Sequence, residues 1–477
     1  MPMESFCSTV AIVGGGASGA LTAAQLLRQA KRPVRILLFG PSPMPEFGTA
    51  YTTRDVAHLL NVPAGRMSAW PAQPDHFLQW LNAPSNCAAL LSRRQFTPAD
   101  FVPRAIYARY IAHVVEEACR EAADSGSTFE RVNDLVADFE PDGLTAGVLT
   151  TQSGRRERVA HLVLALGNLP ARDPLPRPHE FFRSRRYVAN VWSAGVLEAI
   201  DPAEDLLVAG SGLTAMDVVA TLRRVGHEGK ITVVSRNGQL PASHVLGPPY
   251  RDFLAGTSWP ASLRGWIRLV RGEMKQAQAE GVDWRPVFDA LRPHTQKIWQ
   301  SLSPADKQRA LRHLRPYWES RRHRAPEATW AAFDKFALNG QLRFRPGRIR
   351  DFSEDGRRVT VTFQPKGHRD TIRLHVHTVL NCLGPESNFR QRLNDPLLVN
   401  LMARGTTQPD PLLLGLAATP DGAVIGTDGL GNPLISTLGP PLRGILWETT
   451  AIPEIRTQAA SLAANILRGL FTPEWEI

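Results

Sequence analysis

Cysteine is scarce in this chain of 477 residues: Cys7, Cys87, Cys119 and Cys382 are scattered, with no C-x-x-C pair. Four isolated thiols make no disulfide framework and read as reduced, cytoplasmic cysteines. A disulfide reductase, which needs two sulfurs close together, is disfavoured. Long apolar runs are also missing. No stretch of eighteen apolar residues occurs, so no membrane-spanning helix and no membrane partner are expected. The opening residues, MPMESFCST, carry no basic segment of the kind that begins a secretory signal. Acid is in short supply too, with 45 Asp+Glu against 55 Lys+Arg and a formal charge of +10. The surplus is local: residues 246–345 hold 18 Lys+Arg and 9 Asp+Glu. Such a stretch suits an anionic substrate or cofactor, nucleic acid, or a solvated helical surface.

What is present is a strand, a glycine turn and a helix. Val10–Val13 is a short apolar run suited to a buried parallel strand, and Ala20–Leu27 is an Ala- and Leu-rich helical stretch. Between them lies Gly14-Gly15-Gly16-Ala17-Ser18-Gly19, which is G-x-G-x-x-G in its required context. Gly14 permits the turn, Gly16 lets the backbone approach a pyrophosphate, and Gly19 lets helix and strand pack closely. The helix N-terminus offers N–H groups to the anion, so Ala17 and Ser18 join the candidate contacts. Val34–Phe39 reads as the next strand. Its end carries Gly40 where a ribose-binding acid is usual, and Glu46 is the nearest carboxylate.

The same pattern recurs in DLLVAGSGLTAMDVVATLRRVG, from Asp205. Gly210, Gly212 and Ala215 take the small-residue positions, with Ser211, Leu213 and Thr214 as further candidate contacts. The following strand, Lys230–Val234, ends in Ser235-Arg236 instead of an acid. An acid there would select NADH, whereas Arg236 with Ser235 suits the 2′-phosphate of NADPH. From Gly247 to about Asn339 the pattern turns helical, with helices expected over Ser262–Glu280 and Pro304–Arg324. Six of the eleven tryptophans fall there, as packing residues or as stacking partners for bases. Arg321, Arg322 and Arg324 are candidate anion or substrate ligands, or a solvated face. His323 has no ligand set around it, and no metal is expected.

Further segments carry a resemblance. Gly48–Tyr51 reads Gly-Thr-Ala-Tyr, His58–Ala64 reads His-Leu-Leu-Asn-Val-Pro-Ala, and Pro103, Arg104 and Tyr107 lie in FVPRAIYARY. On these the chain resembles the bacterial FAD–NAD(P)-binding family, which is related to two-domain flavoprotein monooxygenases of the N-hydroxylating type. The resemblance implies FAD in the first site and NADPH in the second. It implies an α/β fold of two Rossmann-like domains, with the FAD domain built from both chain ends and the NADPH domain inserted. The boundaries expected are 1–200, 201–380 with a helical insertion at about 247–339, and 381–477. It adds Asn61, Met67, Arg104, Val136 (beside the adenine, in a strand over Arg131–Phe139), Gly167, Gly439 and Pro440 as FAD contacts. Asn61 can offer donor and acceptor to a flavin edge. The helix after Pro453 should support a flavin carbonyl.

The function implied is an FAD-dependent, NADPH-consuming monooxygenase. It would use oxygen to form a flavin hydroperoxide and oxygenate a small nucleophile such as an amine. No catalytic side chain is assigned. The linker His179–Ser193 lacks the Gly and His of the Phe-x-Gly-x-x-x-His segment of Baeyer–Villiger enzymes. That keeps a second reading open, an NADPH reductase serving an acceptor or partner. A third is an FAD sensor whose basic insert binds nucleic acid, the least favoured because such helices are usually packing.

Overall fold

The computed structural model of the chain describes residues 8–41, 47–48, 50–84, 86, 95–245, 247–392 and 394–471. It divides into two compact units: Met1–Thr52, Val62–Leu169 and Ser387–Ile477 in the first, Thr53–Asn61 and Pro170–Glu386 in the second. Residues 170–200, read above as the end of the first domain, therefore fold with the second unit, as does the short segment Thr53–Asn61.

The chain begins with β1 (Ser8–Val13), β2 (Val34–Phe39) and β3 (Thr128–Val132), all parallel. Val10, Ala11 and Ile12 are fully buried, as a parallel strand covered on both faces must be. A three-stranded antiparallel sheet follows, made of β4 (Val136–Asp142), β5 (Ala146–Thr151) and β6 (Arg156–Val159). The one strand expected over Arg131–Phe139 is thus two, in different sheets. Asn133-Asp134-Leu135 makes the break: Asp134 N–H turns back to the Val132 carbonyl (2.9 Å), a turn that Asn and Asp favour. The chain then returns to the first sheet as β7 (His161–Leu164), beside β1.

In the second unit run β8 (Tyr187–Val188), β9 (Leu206–Ala209), β10 (Ile231–Ser235), β11 (Leu342–Glu354), β12 (Val359–Pro365), β13 (Ile372–Val376) and β14 (Thr378–Asn381). Their order is β13-β12-β11-β10-β9-β14-β8, a parallel core extended by the antiparallel meander β11–β13. Back in the first unit, β15 (Ala423–Ile425) and β16 (Gly431–Thr437) complete the order β15-β16-β7-β1-β2-β3. The first sheet is therefore built from both ends of the chain. The closing helix, Ile452–Phe471, buries Ile455, Ala459, Leu462 and Ile466 and packs on the helix Ala17–Gln29.

Between β10 and β11 lies the helical insertion. The helix expected over Pro304–Arg324 is helix Pro304–Arg309, a π turn Ala310–Leu314 and helix Arg315–Arg322. Pro316 gives the reason, because it has no N–H to continue the α-helical ladder across the junction. No helix among the described residues is long and apolar enough to cross a membrane.

Candidate dinucleotide sites

The two glycine turns share one construction. Gly14 follows β1 at φ +117, and its N–H donates to the Phe39 carbonyl at the end of β2 (2.9 Å). Gly210 follows β9 at φ +116, and its N–H donates to the Val234 carbonyl at the end of β10 (2.9 Å). A side chain is excluded at both, since a Cβ would lie 2.2 Å from the Ala165 carbonyl oxygen at Gly14 and 2.3 Å from that of Cys382 at Gly210. The backbone of the neighbouring strand demands these glycines whether or not a ligand binds.

The middle glycine is different. A Cβ on Gly16 would meet nothing closer than the Phe47 oxygen at 3.8 Å, and one on Gly212 would meet nothing within 4 Å. Neither has a positive φ, with values of −75° and −81°. No protein atom and no backbone strain accounts for either one. The volume kept clear lies at the N-terminus of a helix, Ala17–Gln29 in one case and Leu213–Arg224 in the other. Neither helix has an acidic residue in its first turn, so nothing there repels a phosphate. A clear volume at a helix N-terminus is the kind of space an anionic group such as a pyrophosphate requires.

At the third position the turns diverge. A Cβ on Gly19 would lie 2.1 Å from the Gly14 oxygen, whereas Ala215 fits, buried, in the second turn. The surroundings diverge as well. Phe47 bridges to Gly16, and its carbonyl accepts the Ala17 N–H (2.9 Å). Phe47 holds φ 59, a left-handed conformation costly for a bulky residue. Nothing in the sequence signals this cover, since it depends on a tertiary bridge. Gly212 is exposed.

Gly14, Gly167 and Gly439 all follow the C-terminal ends of parallel neighbours, β1, β7 and β16, and so gather at one sheet edge. Gly439 (φ 73) comes close to the first turn, where a Cβ would lie 2.7 Å from Ser18 Oγ. Its N–H donates to Gln458 Oε1 (2.8 Å), Gln458 Nε2 donates to Thr449 Oγ1 (2.7 Å), and Thr449 Oγ1 donates to the Gly439 carbonyl (3.0 Å). Pro440 opens a short helical turn before Arg443–Leu446, so the long helix begins only at Ile452.

The other first-site candidates scatter. Met67 is buried and its carbonyl accepts from Tyr107 Oη (2.9 Å). Arg104 opens the helix Arg104–Glu121 and acts on half-buried Tyr51: desolvation pushes that phenol up and the guanidinium opposes it. The Val136 side chain is in the core with Phe39 and Leu164, and its backbone is in register with Thr151 of β5. Glu46 lies outside the described residues. Asn61 clusters with the second unit, where its carbonyl is 3.0 Å from His244 Nε2.

In the second unit, Ser211 Oγ donates to the Gln239 carbonyl (2.6 Å), and Leu213 packs on the core beneath the sheet. Thr214, next in the same helix, and Ser235, closing β10, are both part-buried. Arg236 follows Ser235 and is exposed. Desolvation, then the charges of Arg172, Arg348 and Arg315, hold its guanidinium below the usual arginine range.

In the basic cluster of the insertion the three arginines differ in their surroundings. Arg324 is 3% exposed, forks onto both Asp289 oxygens (3.0 and 3.1 Å), and donates to the carbonyls of Arg321 and Arg285. It is an internal cation of the insertion, not an anion clamp. Arg321 lies over Trp284 and Tyr317. Arg322, half-buried, is the third of the set. Trp266 and Trp299 are buried, and Trp284 and Trp318 pack on Phe288, so these aromatics act as packing. No group of side chains among the described residues could hold a metal ion.

Two Rossmann-like sheets, each with a glycine turn whose middle glycine keeps its Cβ position clear of protein atoms, define a two-dinucleotide-domain flavoprotein fold. Residues 11–169 match the model of a family described as FAD-NAD(P)-binding. No curated protein sequence matches the chain. Among solved structures, it is similar to the ornithine N-hydroxylase of Kutzneria sp. 744, solved with reduced FAD, NADP+ and L-ornithine (13% identity, TM-score 0.65, 97% of this chain and 99% of that one). It is similar to L-lysine 6-monooxygenase of Pseudomonas syringae (15% identity, TM-score 0.63, 97% and 100%). The cadaverine monooxygenase DfoA of Erwinia amylovora, bound to FAD, superposes likewise (12% identity, TM-score 0.64, 98% and 96%). At these identities the likeness is one of fold.

Proposed function

We propose that this protein is an FAD-dependent, NADPH-consuming monooxygenase acting on a small nucleophilic substrate, such as an amine. The observation that carries the reading is the pair of clear volumes at Gly16 and Gly212, each at a helix start in its own sheet. The full-length likeness to three amine or amino-acid monooxygenases supports the direction of the chemistry.

FAD, when bound, supplies hydride acceptance and oxygen chemistry that no side chain supplies. The chain's own residues bind and orient. The first-turn N–H groups of Ala17–Gln29 hold the FAD pyrophosphate, short of the Ala17 N–H that Phe47 already takes. Gly167 and Gly439, at the same sheet edge, would line the rest of the cofactor site. Gly212 and the helix it caps hold the nucleotide pyrophosphate, and Ser235 with Arg236 reads the 2′-phosphate.

The test is oxygen uptake and NADPH oxidation by FAD-loaded protein over a panel of small amines and acids. Oxygen uptake that rises with one substrate, with matching oxygenated product, is the expected result. NADPH oxidation that is indifferent to every substrate but efficient with a quinone or protein acceptor would move the assignment to a reductase.

A further inference from the structure

Several arginines of this protein have answered charges. Arg35, Arg155, Arg224, Arg251, Arg324 and Arg404 each pair with a carboxylate. Three do not. Arg172, Arg236 and Arg348 are exposed, and none of their guanidiniums pairs with a described residue.

These three come together in the second unit. Arg236 follows the end of β10. Ser235 is in register with Pro346 on β11, two residues before Arg348. The Arg172 carbonyl accepts from Asn381 Nδ2 (3.1 Å) at the end of β14, which is parallel to β9 and, through it, to β10. Three unanswered cations thus sit at one sheet end, beside the turn Gly210–Gly212. Lys366 adds charge nearby, its Nζ donating to the Asn237 carbonyl (3.2 Å). Like charges gathered without a counter-ion repel one another, and a bound dianion would relieve that repulsion.

We propose that Arg172 and Arg348 join Arg236 in one three-guanidinium site for the 2′-phosphate of the nucleotide. The proposal rests on the NADPH reading above and extends it: nucleotide choice is made by three strand ends rather than one arginine. The Arg236 guanidinium is held below the usual arginine range first by desolvation and then by the charges of Arg172, Arg348 and Arg315, which agrees with it.

The test is calorimetric titration of the FAD-loaded protein with 2′,5′-ADP and with 5′-AMP, which differ by the 2′-phosphate alone. Arg172→Gln and Arg348→Gln are exposed changes with no packing to lose. Each is expected to weaken 2′,5′-ADP by about 5- to 10-fold while leaving 5′-AMP unchanged. The salt dependence of 2′,5′-ADP binding should flatten in both. Arg350→Gln, on the same strand but held by Gln364 (2.9 Å), should match the wild type. If wild type binds the two ligands equally, the NADPH reading falls. If wild type discriminates and Arg236→Ala abolishes this, but Arg172→Gln and Arg348→Gln behave as wild type, the present inference is overturned and that reading stands.

Discussion

The two glycine turns are near copies in backbone and differ in what surrounds them. Each anchors its first glycine under the next strand by a 2.9 Å hydrogen bond, with φ +117 and +116. The first is covered, since Phe47 bridges to Gly16 and takes the Ala17 N–H. The second is open, with Gly212 exposed and unanswered arginines at the adjoining strand end. A covered cradle suits a cofactor that stays through many turnovers. An open, positively charged one suits a nucleotide that arrives, is read and leaves. One backbone solution thus serves two binding regimes, and the difference lies in the neighbours of the turn.

The largest effects should come from the shared part. Gly14→Ala and Gly210→Ala each force a Cβ against a carbonyl oxygen at strongly positive φ, and should cost about 3 kcal/mol or more in stability. Thermal melts of the cofactor-free protein check this. Equal, large losses confirm that both first glycines serve the fold, and a mild effect at either would break the symmetry.

Next comes acid sensitivity, in which mutation isolates one buried group of the first sheet. His161 on β7 is buried beside Ser436 Oγ (2.8 Å), and burial lowers its pKa to about 4. The unfolded chain takes up that proton near pH 6.5 and the folded one only near 4. The contribution of His161 to stability is therefore full above pH 6.5 and falls as the pH drops toward 4, by about 3 kcal/mol. Melting curves at pH 7 and 4.5 should show a smaller pH-dependent loss in His161→Asn than in wild type.

Nucleotide preference sharpens the open side of the comparison. Arg236→Ala should lower the NADPH/NADH ratio in anaerobic flavin reduction by roughly 10-fold or more, chiefly by weakening NADPH. An unchanged ratio would place phosphate recognition elsewhere. The smallest effect belongs to the third position. Ala215→Gly should cost about 1 kcal/mol of helix stability in a thermal melt and leave nucleotide binding intact. Gly19→Ala should cost clearly more, because its Cβ would press on the Gly14 oxygen at 2.1 Å.

Much of this was legible in the sequence, for a physical reason. Glycine spacing between an apolar run and an Ala-rich run encodes a local turn, and local turns depend on few distant residues. Gly14, Gly16, Gly19, Gly210 and Gly212 were readable for that reason, and so was the end of β10 at Ser235. What escaped depends on long-range contacts. The Phe47 cover comes from a bridge that no pattern announces. Arg172 and Arg348 reach Arg236 only because β14 and β11 flank β9 and β10. Arg324 looked like a ligand because its partner, Asp289, is 35 residues away. The strand expected over Arg131–Phe139 failed because alternation does not tell one sheet from another, while Asn133-Asp134 carried the turn signal.

The most direct test of the central claim uses the middle glycines, whose missing side chains no protein contact explains. FAD content, melting temperature and anaerobic flavin reduction by NADPH are measured in wild type, Gly16→Ala and Gly212→Ala. Gly16→Ala should melt near the cofactor-free wild type and lose FAD affinity by about 100-fold, a steric cost near 3 kcal/mol. Gly212→Ala should keep its FAD and be reduced by NADPH far more slowly. Full flavin content in Gly16→Ala, or wild-type reduction in Gly212→Ala, would contradict the account.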